Sequence, residues 1–137
     1  MFKHIMVPVD LDHADQLDKA LAAAADLARL YSASVTVAGV ASSAPGKSAH
    51  NPAEYQVRLQ DFAQAQTEKH GVTFMPLAVT SHDPAVDLDI RLKQAAEETG
   101  TDLVVMASHV PSFRDHFFGS NAGYLATHMR ISVFVVR

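Results

Sequence analysis

Two stretches of this chain carry residues that could bind an anion. One is Leu103-Val104-Val105-Met106-Ala107-Ser108-His109-Val110-Pro111 and the other is Gly119-Ser120-Asn121-Ala122. The first starts as an unbroken apolar run, the pattern of a central parallel strand covered on both faces. It ends at a small residue, a hydroxyl, an imidazole and a proline. Gly119-Ser120 then opens a short helix, with Ser120 expected as its N-cap. A strand running out towards a glycine at a helix start gathers main-chain N–H groups and a positive helix end in one place, which suits the phosphates of a nucleotide. An ordinary loop followed by a capped helix is the competing reading.

Further residues fit the same chemistry. Asp10 closes the run Ile5-Met6-Val7-Pro8-Val9. Its carboxylate could accept from a ribose hydroxyl or an adenine amino group, or simply cap the helix that follows. At the end of the second apolar run, the Val40 main chain could meet an adenine edge while its side chain packs on the ring. A plain core valine is the alternative. Ser108, Gly119, Ser120 and Asn121 would supply N–H and hydroxyl donors to phosphate. Arg114, the strong cation of the intervening loop, could grip a phosphate with both guanidinium nitrogens or face water. His109 directly follows the strand and is favoured over His116 as a donor, while Asp115 is the loop's carboxylate. Pro8, Val9 and Met106, at the same strand ends, join the cofactor-binding set. No nucleophile–base pair stands out, so no catalytic residue is assigned. There is no Gly-x-x-x-x-Gly-Lys-[Ser/Thr] loop for phosphoryl transfer. A binding module fits better than a fast enzyme.

The elements that must position these residues follow from composition and order. A length of 137 residues fits one domain, 1–137. A net charge of −4 without a Lys/Arg cluster gives no nucleic-acid footprint. The apolar runs are far too short to span a membrane, and the start reads as a strand rather than a signal peptide. The chain has no cysteine, which excludes disulfides, thiolate catalysis and Cys-based metal sites and fits a cytoplasmic location. Its eight histidines are scattered, with no His-x-x-x-His pair on an expected helix, so no metal site is assigned.

Residues 2–9 read as a central strand. Pro8, which has no N–H, must sit where a ladder ends. Asp12 is expected to cap a helix reaching Tyr31, with Leu17, Leu21, Ala24, Ala25, Ala28 and the pair Leu27/Leu30 on its apolar face. Strand 34–40 and a polar loop, 41–51, follow. Asn51, Pro52 and Glu54 open a helix that places Tyr55, Leu59, Phe62 and Ala63 on one face and ends at Gly71. Pro76 makes strand 72–79 an edge. Asp83-Pro84 starts a helix ended by Gly100. Strand 103–107, a helix over 121–129 and strand 132–136 complete the chain. Gly123 within the last helix costs about 1 kcal/mol against alanine, which points to close contact with a ligand or with main chain. Strands alternating with helices give an α/β fold: a five-stranded parallel sheet, order 3-2-1-4-5, with helices on both faces. The order reverses between strands one and four, and open α/β sheets bind ligands at the carboxyl ends beside such a reversal. Asp10 and Ala107 lead into that crevice.

The whole chain resembles the universal stress protein family. The resemblance is carried by Ile5-Met6-Val7-Pro8-Val9-Asp10, Asp83-Pro84-Ala85, Thr101-Asp102 with the run to His109, Gly119-Ser120-Asn121-Ala122, and Ser132-Val133-Phe134-Val135-Val136-Arg137. It implies a Rossmann-like, adenine nucleotide alpha hydrolase-like architecture. The family's nucleotide-binding branch carries Gly-x-x-Gly, nine residues, then Gly-Ser or Gly-Thr. Here Ala107 and Val110 stand at the first two glycines, eight residues precede Gly119, and Gly119-Ser120 matches. The form Ala-Ser-His-x-Pro with Gly-Ser-Asn-Ala is similar to a subgroup of small, single-domain members that bind adenine nucleotides. By that likeness Asp10 and the Val40 main chain hold adenosine, and Ser108, His109, Gly119, Ser120 and Asn121 hold the phosphates. ATP, with ADP or AMP as variants and Mg²⁺ with the triphosphate, is the implied cofactor. The resemblance also implies a homodimer through residues 132–136, with higher oligomers open. Some members accompany membrane solute transporters, including TRAP-type carriers. The expected function is an ATP-binding regulatory switch with at most slow hydrolysis. The alternatives are a nucleotide-free dimerisation module and, behind it, a genuine hydrolase.

Overall fold

Five short, mostly apolar runs separated by amphipathic segments form a single parallel sheet. The structure is a computed structural model describing residues 1–42, 51–108 and 119–137. In chain order the elements are β1 (His4–Val9), a 3₁₀ segment (Leu11–Leu17), α1 (Asp18–Tyr31), β2 (Ser34–Ser42), α2 (Pro52–His70), β3 (Phe74–Ser81), α3 (Pro84–Thr99), β4 (Leu103–Ala107), α4 (Gly119–His128) and β5 (Ser132–Val136). The sheet order is β3-β2-β1-β4-β5, the order expected from the alternation of elements and the two most apolar strands at the centre. α1 packs with α2 and α3 with α4, one pair to each face.

The central strands owe their place to uninterrupted apolar sequence. Ile5, Met6, Val7 and Val9 of β1 and all five residues of β4 are buried. On α1, Ala20, Leu21, Ala24, Ala25 and Ala28 are buried, and these mostly small side chains bring the helix close to the sheet. Leu27 is half-buried against the core, but Leu30, expected beside it, is 70% exposed and lies off the buried stripe. At the amino end of the sheet, Asp102 accepts from the Lys3 N–H (2.8 Å) and the His4 N–H (3.1 Å), tying β1 to the approach of β4.

The helix ends are capped as their residues dictate. The Glu54 N–H donates to Asn51 Oδ1 (2.8 Å), Pro52 stands at the first turn, and Gly71 (φ 67°) closes α2 in the left-handed region. Three expectations need correction. Asp10, not Asp12, caps the segment after β1, and regular α-helix begins only at Asp18. The intervening turns are 3₁₀, broken at His13 (φ −131°, ψ 32°), whose ring reaches back to Asp10. β2 and β3 extend to Ser42 and Ser81, beyond the expected ends at 40 and 79. α4 begins at Gly119, so Ser120 lies inside its first turn rather than at the cap. Pro76 does sit in an edge strand. Among the described residues no helix is long and apolar enough to cross a membrane.

Candidate nucleotide crevice

Where the ladders stop determines the shape of the carboxyl end. The recorded β1–β4 register is Ile5↔Leu103 and Met6↔Val104, yet β1 continues to Val9 and β4 to Ala107. The pairing therefore ends two residues before Pro8, which has no N–H to donate. On the other side, β1 and β2 run together as far as Val9↔Gly39, while β2 stays paired with β3 up to Ser42↔Ser81. Residues 40–42 thus have β3 along one side, and the β1 ladder has already ended along the other. Among the described residues, no strand is paired with β2 on that side beyond that last rung. These strand ends stand at the reversal of strand order, the place where open α/β sheets bind ligands.

Asp10 stands at the lip of this crevice and is only 7% exposed. Its Oδ1 accepts from the Asp12 N–H (3.0 Å), and Oδ2 lies 2.7 Å from His13 Nδ1. The capping role is therefore the one these contacts show, and it does not use up the carboxylate. An ionised carboxylate has about four acceptor positions, so each oxygen retains capacity for a ligand hydroxyl or amino group. Val9 and Met106 are fully buried and Pro8 is buried as well, so their side chains belong to the core and only main chain is left for a ligand. Val40 is half-buried against the core at the open side of β2. The Ser108 N–H, expected to serve a phosphate, donates instead to the Val136 carbonyl of β5 (2.8 Å). What Ser108 can offer an anion is its hydroxyl.

α4 starts at Gly119, with residues 109–118 between it and Ser108, the described residue that follows β4. Gly119, Ser120 and Asn121 form its first turn, where main-chain N–H groups have no partner within the helix. Their side chains fall outside the described residues, as do His109, Val110, Arg114, Asp115 and His116. Among the described residues a Cβ added at Gly123 would meet nothing within 4 Å, so no main-chain contact there explains that glycine. Among the described residues no group of three His, Cys, Asp or Glu could hold a metal ion. An open groove of about 200 Å³ between β3 and α3, lined by Leu77, Thr80, Arg91, Gln94 and Glu98, lies at the sheet edge, two strands away from β1.

Two residues at the crevice escaped the sequence reading. Gly39 reads as an ordinary strand residue, but a Cβ there would come within 2.6 Å of the Tyr55 hydroxyl and 2.7 Å of Leu59 Cδ1. Tyr55, read only as part of the apolar face of α2, is 5% exposed, and its hydroxyl has no hydrogen-bond partner among the described residues. Burial, followed by the Asp10 and then the Asp12 carboxylates, pushes the phenol well above the usual tyrosine range. An aromatic residue with a polar tip, one turn into a helix that starts at the carboxyl end of the sheet, is the signal that could have found it.

A doubly wound sheet with a crevice at the strand reversal defines a class of α/β nucleotide-type folds, and sequence comparison narrows it. The profile of the universal stress protein family matches residues 1–137, and the chain belongs to that family. Universal stress protein G of Shigella flexneri is 31% identical over 142 residues, covering all of both chains. Among solved structures, a universal stress protein from Archaeoglobus fulgidus shares the fold with a TM-score of 0.69 at 20% identity, over the full length of both chains. A universal stress protein in complex with cAMP has a TM-score of 0.68 at 18% identity, covering 99% of this chain and 97% of that one. The Archaeoglobus fulgidus protein in complex with dAMP has 0.66 at 20% identity, covering 98% of each chain.

Proposed function

We propose that this chain is an adenine-nucleotide-binding universal stress protein that acts as a regulatory switch, with ATP as its working ligand. The observation that carries the reading is the end of the β1–β4 pairing at Met6↔Val104, with Asp10 following β1 and Ser108 following β4 beside the reversal of strand order. Asp10 accepts from the ribose or the adenine amino group. The open side of β2 at Val40 meets the base edge, and the Ser108 hydroxyl with the first turn of α4 at Gly119, Ser120 and Asn121 takes the phosphates. His109 and Arg114 complete the phosphate side. Mg²⁺ would bind the triphosphate and water rather than a dedicated protein cage. The cAMP and dAMP complexes of fold-related members support an adenine ligand. Calorimetric titration with ATP, ADP and AMP tests the proposal: saturation supports it, and no heat at millimolar nucleotide refutes it.

The molecule works as a cytoplasmic homodimer joined through β5. That strand is an edge carrying exposed Phe134 and Val135 (45% and 44%), and such an edge invites a second strand. Its output is regulation of a membrane solute transporter, tested by adding the protein with and without ATP to transporter-bearing vesicles and reading the uptake rate. A second reading, a nucleotide-free dimerisation module, draws on Ala107 and Val110 at the family's glycine positions and on the existing Asp10–His13 pair. Nucleotide copurifying in native mass spectra would exclude it.

A further inference from the structure

Three buried side-chain polar atoms have no partner among the described residues: the Tyr55 hydroxyl, Gln66 Oε1 and His70 Nε2. The last two lie in the final turns of α2, at the opposite end of the helix from the crevice. Tyr55 is in the first turn, against Gly39, and Val9↔Gly39 is the last rung of the β1–β2 ladder. The next residues on the two strands are Asp10 and Val40. A phenylalanine would fill the same space without an unmet polar group, and Gly39 is the residue that leaves room for the oxygen. Packing alone therefore accounts for the ring but not for the hydroxyl.

We propose that the Tyr55 hydroxyl is a specificity-determining hydrogen-bond donor of the crevice, directed at a ring nitrogen of the bound base. This rests on the nucleotide-binding reading. Burial and the neighbouring carboxylates keep the phenol protonated throughout the neutral range, so it acts as a donor. Asp10, which directly follows the Val9↔Gly39 rung on which Tyr55 packs, is an acceptor. A donor next to an acceptor complements adenine, where an amino group adjoins a ring nitrogen.

Tyr55→Phe tests the assignment by titration of wild type and variant with AMP, alongside thermal unfolding of both free proteins. The expected result is about tenfold weaker AMP binding, the loss of one buried hydrogen bond, in a variant that unfolds at the same or a higher temperature. Equal affinities overturn the inference while leaving nucleotide binding intact. A variant that unfolds earlier than wild type marks the hydroxyl as structural and also overturns it. If wild type itself does not saturate at millimolar AMP, the nucleotide reading and this inference fall together.

Discussion

At the residue scale, Asp10 has a capping role and a proposed binding role that substitutions can separate. Its side chain caps the segment after β1, and an alanine there should cost about 0.5–2 kcal/mol of stability. Asparagine keeps the capping oxygen but removes the charge. Asp10→Asn should therefore unfold close to wild type and yet bind AMP at least tenfold more weakly, whereas Asp10→Ala loses both properties; denaturant melts with calorimetry distinguish them. Asp87 offers a pH prediction. The Ser81 hydroxyl hydrogen-bonds its carboxylate, and this bond, followed by Arg91 and the His82 N–H, holds Asp87 below the ordinary carboxylate range. A folded-state pKa lower than the unfolded one stabilises the protein above the unfolded value, and that stabilisation is lost as the pH falls through the folded value. Ser81→Ala should move the Asp87 midpoint up towards the ordinary range in a carboxyl NMR titration, and acid unfolding should begin at higher pH.

At the element scale, two glycines predict opposite outcomes. An alanine at Gly39 would place its Cβ under 3.0 Å from both Tyr55 and Leu59. Gly39→Ala should destabilise by roughly 1–3 kcal/mol, the usual cost of overpacking, as α2 is pushed off β2. Gly123 sits exposed within α4 with open space where its Cβ would go. Gly123→Ala should stabilise by about 0.4–1 kcal/mol, read as a melting temperature higher by roughly 2–4 °C. The same helix shows how boundaries shift function: with α4 starting at Gly119, Ser120 contributes to an N-terminal turn instead of closing it.

At the scale of the whole molecule, the proposed ligand crevice and the proposed dimer edge lie on different elements. The proposed crevice draws on β1, β2, β4 and the start of α4, and among the described residues the Ser108 N–H donates to the Val136 carbonyl of β5. Val135→Lys on the edge strand should oppose strand-to-strand association. Sedimentation should then report a monomer where wild type sediments as a dimer, with AMP affinity changed less than threefold. A wild type that sediments as a monomer at high concentration would remove β5 pairing from the proposal.

The sheet order was legible because it follows from strongly patterned signals. Continuous apolar runs at 5–9 and 103–107 mark the strands covered on both faces, and Pro76 and the glycines at 71 and 100 mark an edge and helix ends through local sterics alone. The Asn51 cap and the first turn of α2 could likewise be read from residue type. Tertiary structure alone decided how far each ladder runs, that the Ser108 amide serves β5, that Asp10 caps in place of Asp12 with His13 turned back onto it, and that Gly39 makes room for Tyr55. Apart from the local choice among Asp10, Asp12 and His13, these depend on groups distant in sequence competing for the same hydrogen bond or the same volume. Periodicity along the chain carries no record of that competition, because it encodes which face a residue turns inward and not what it meets there.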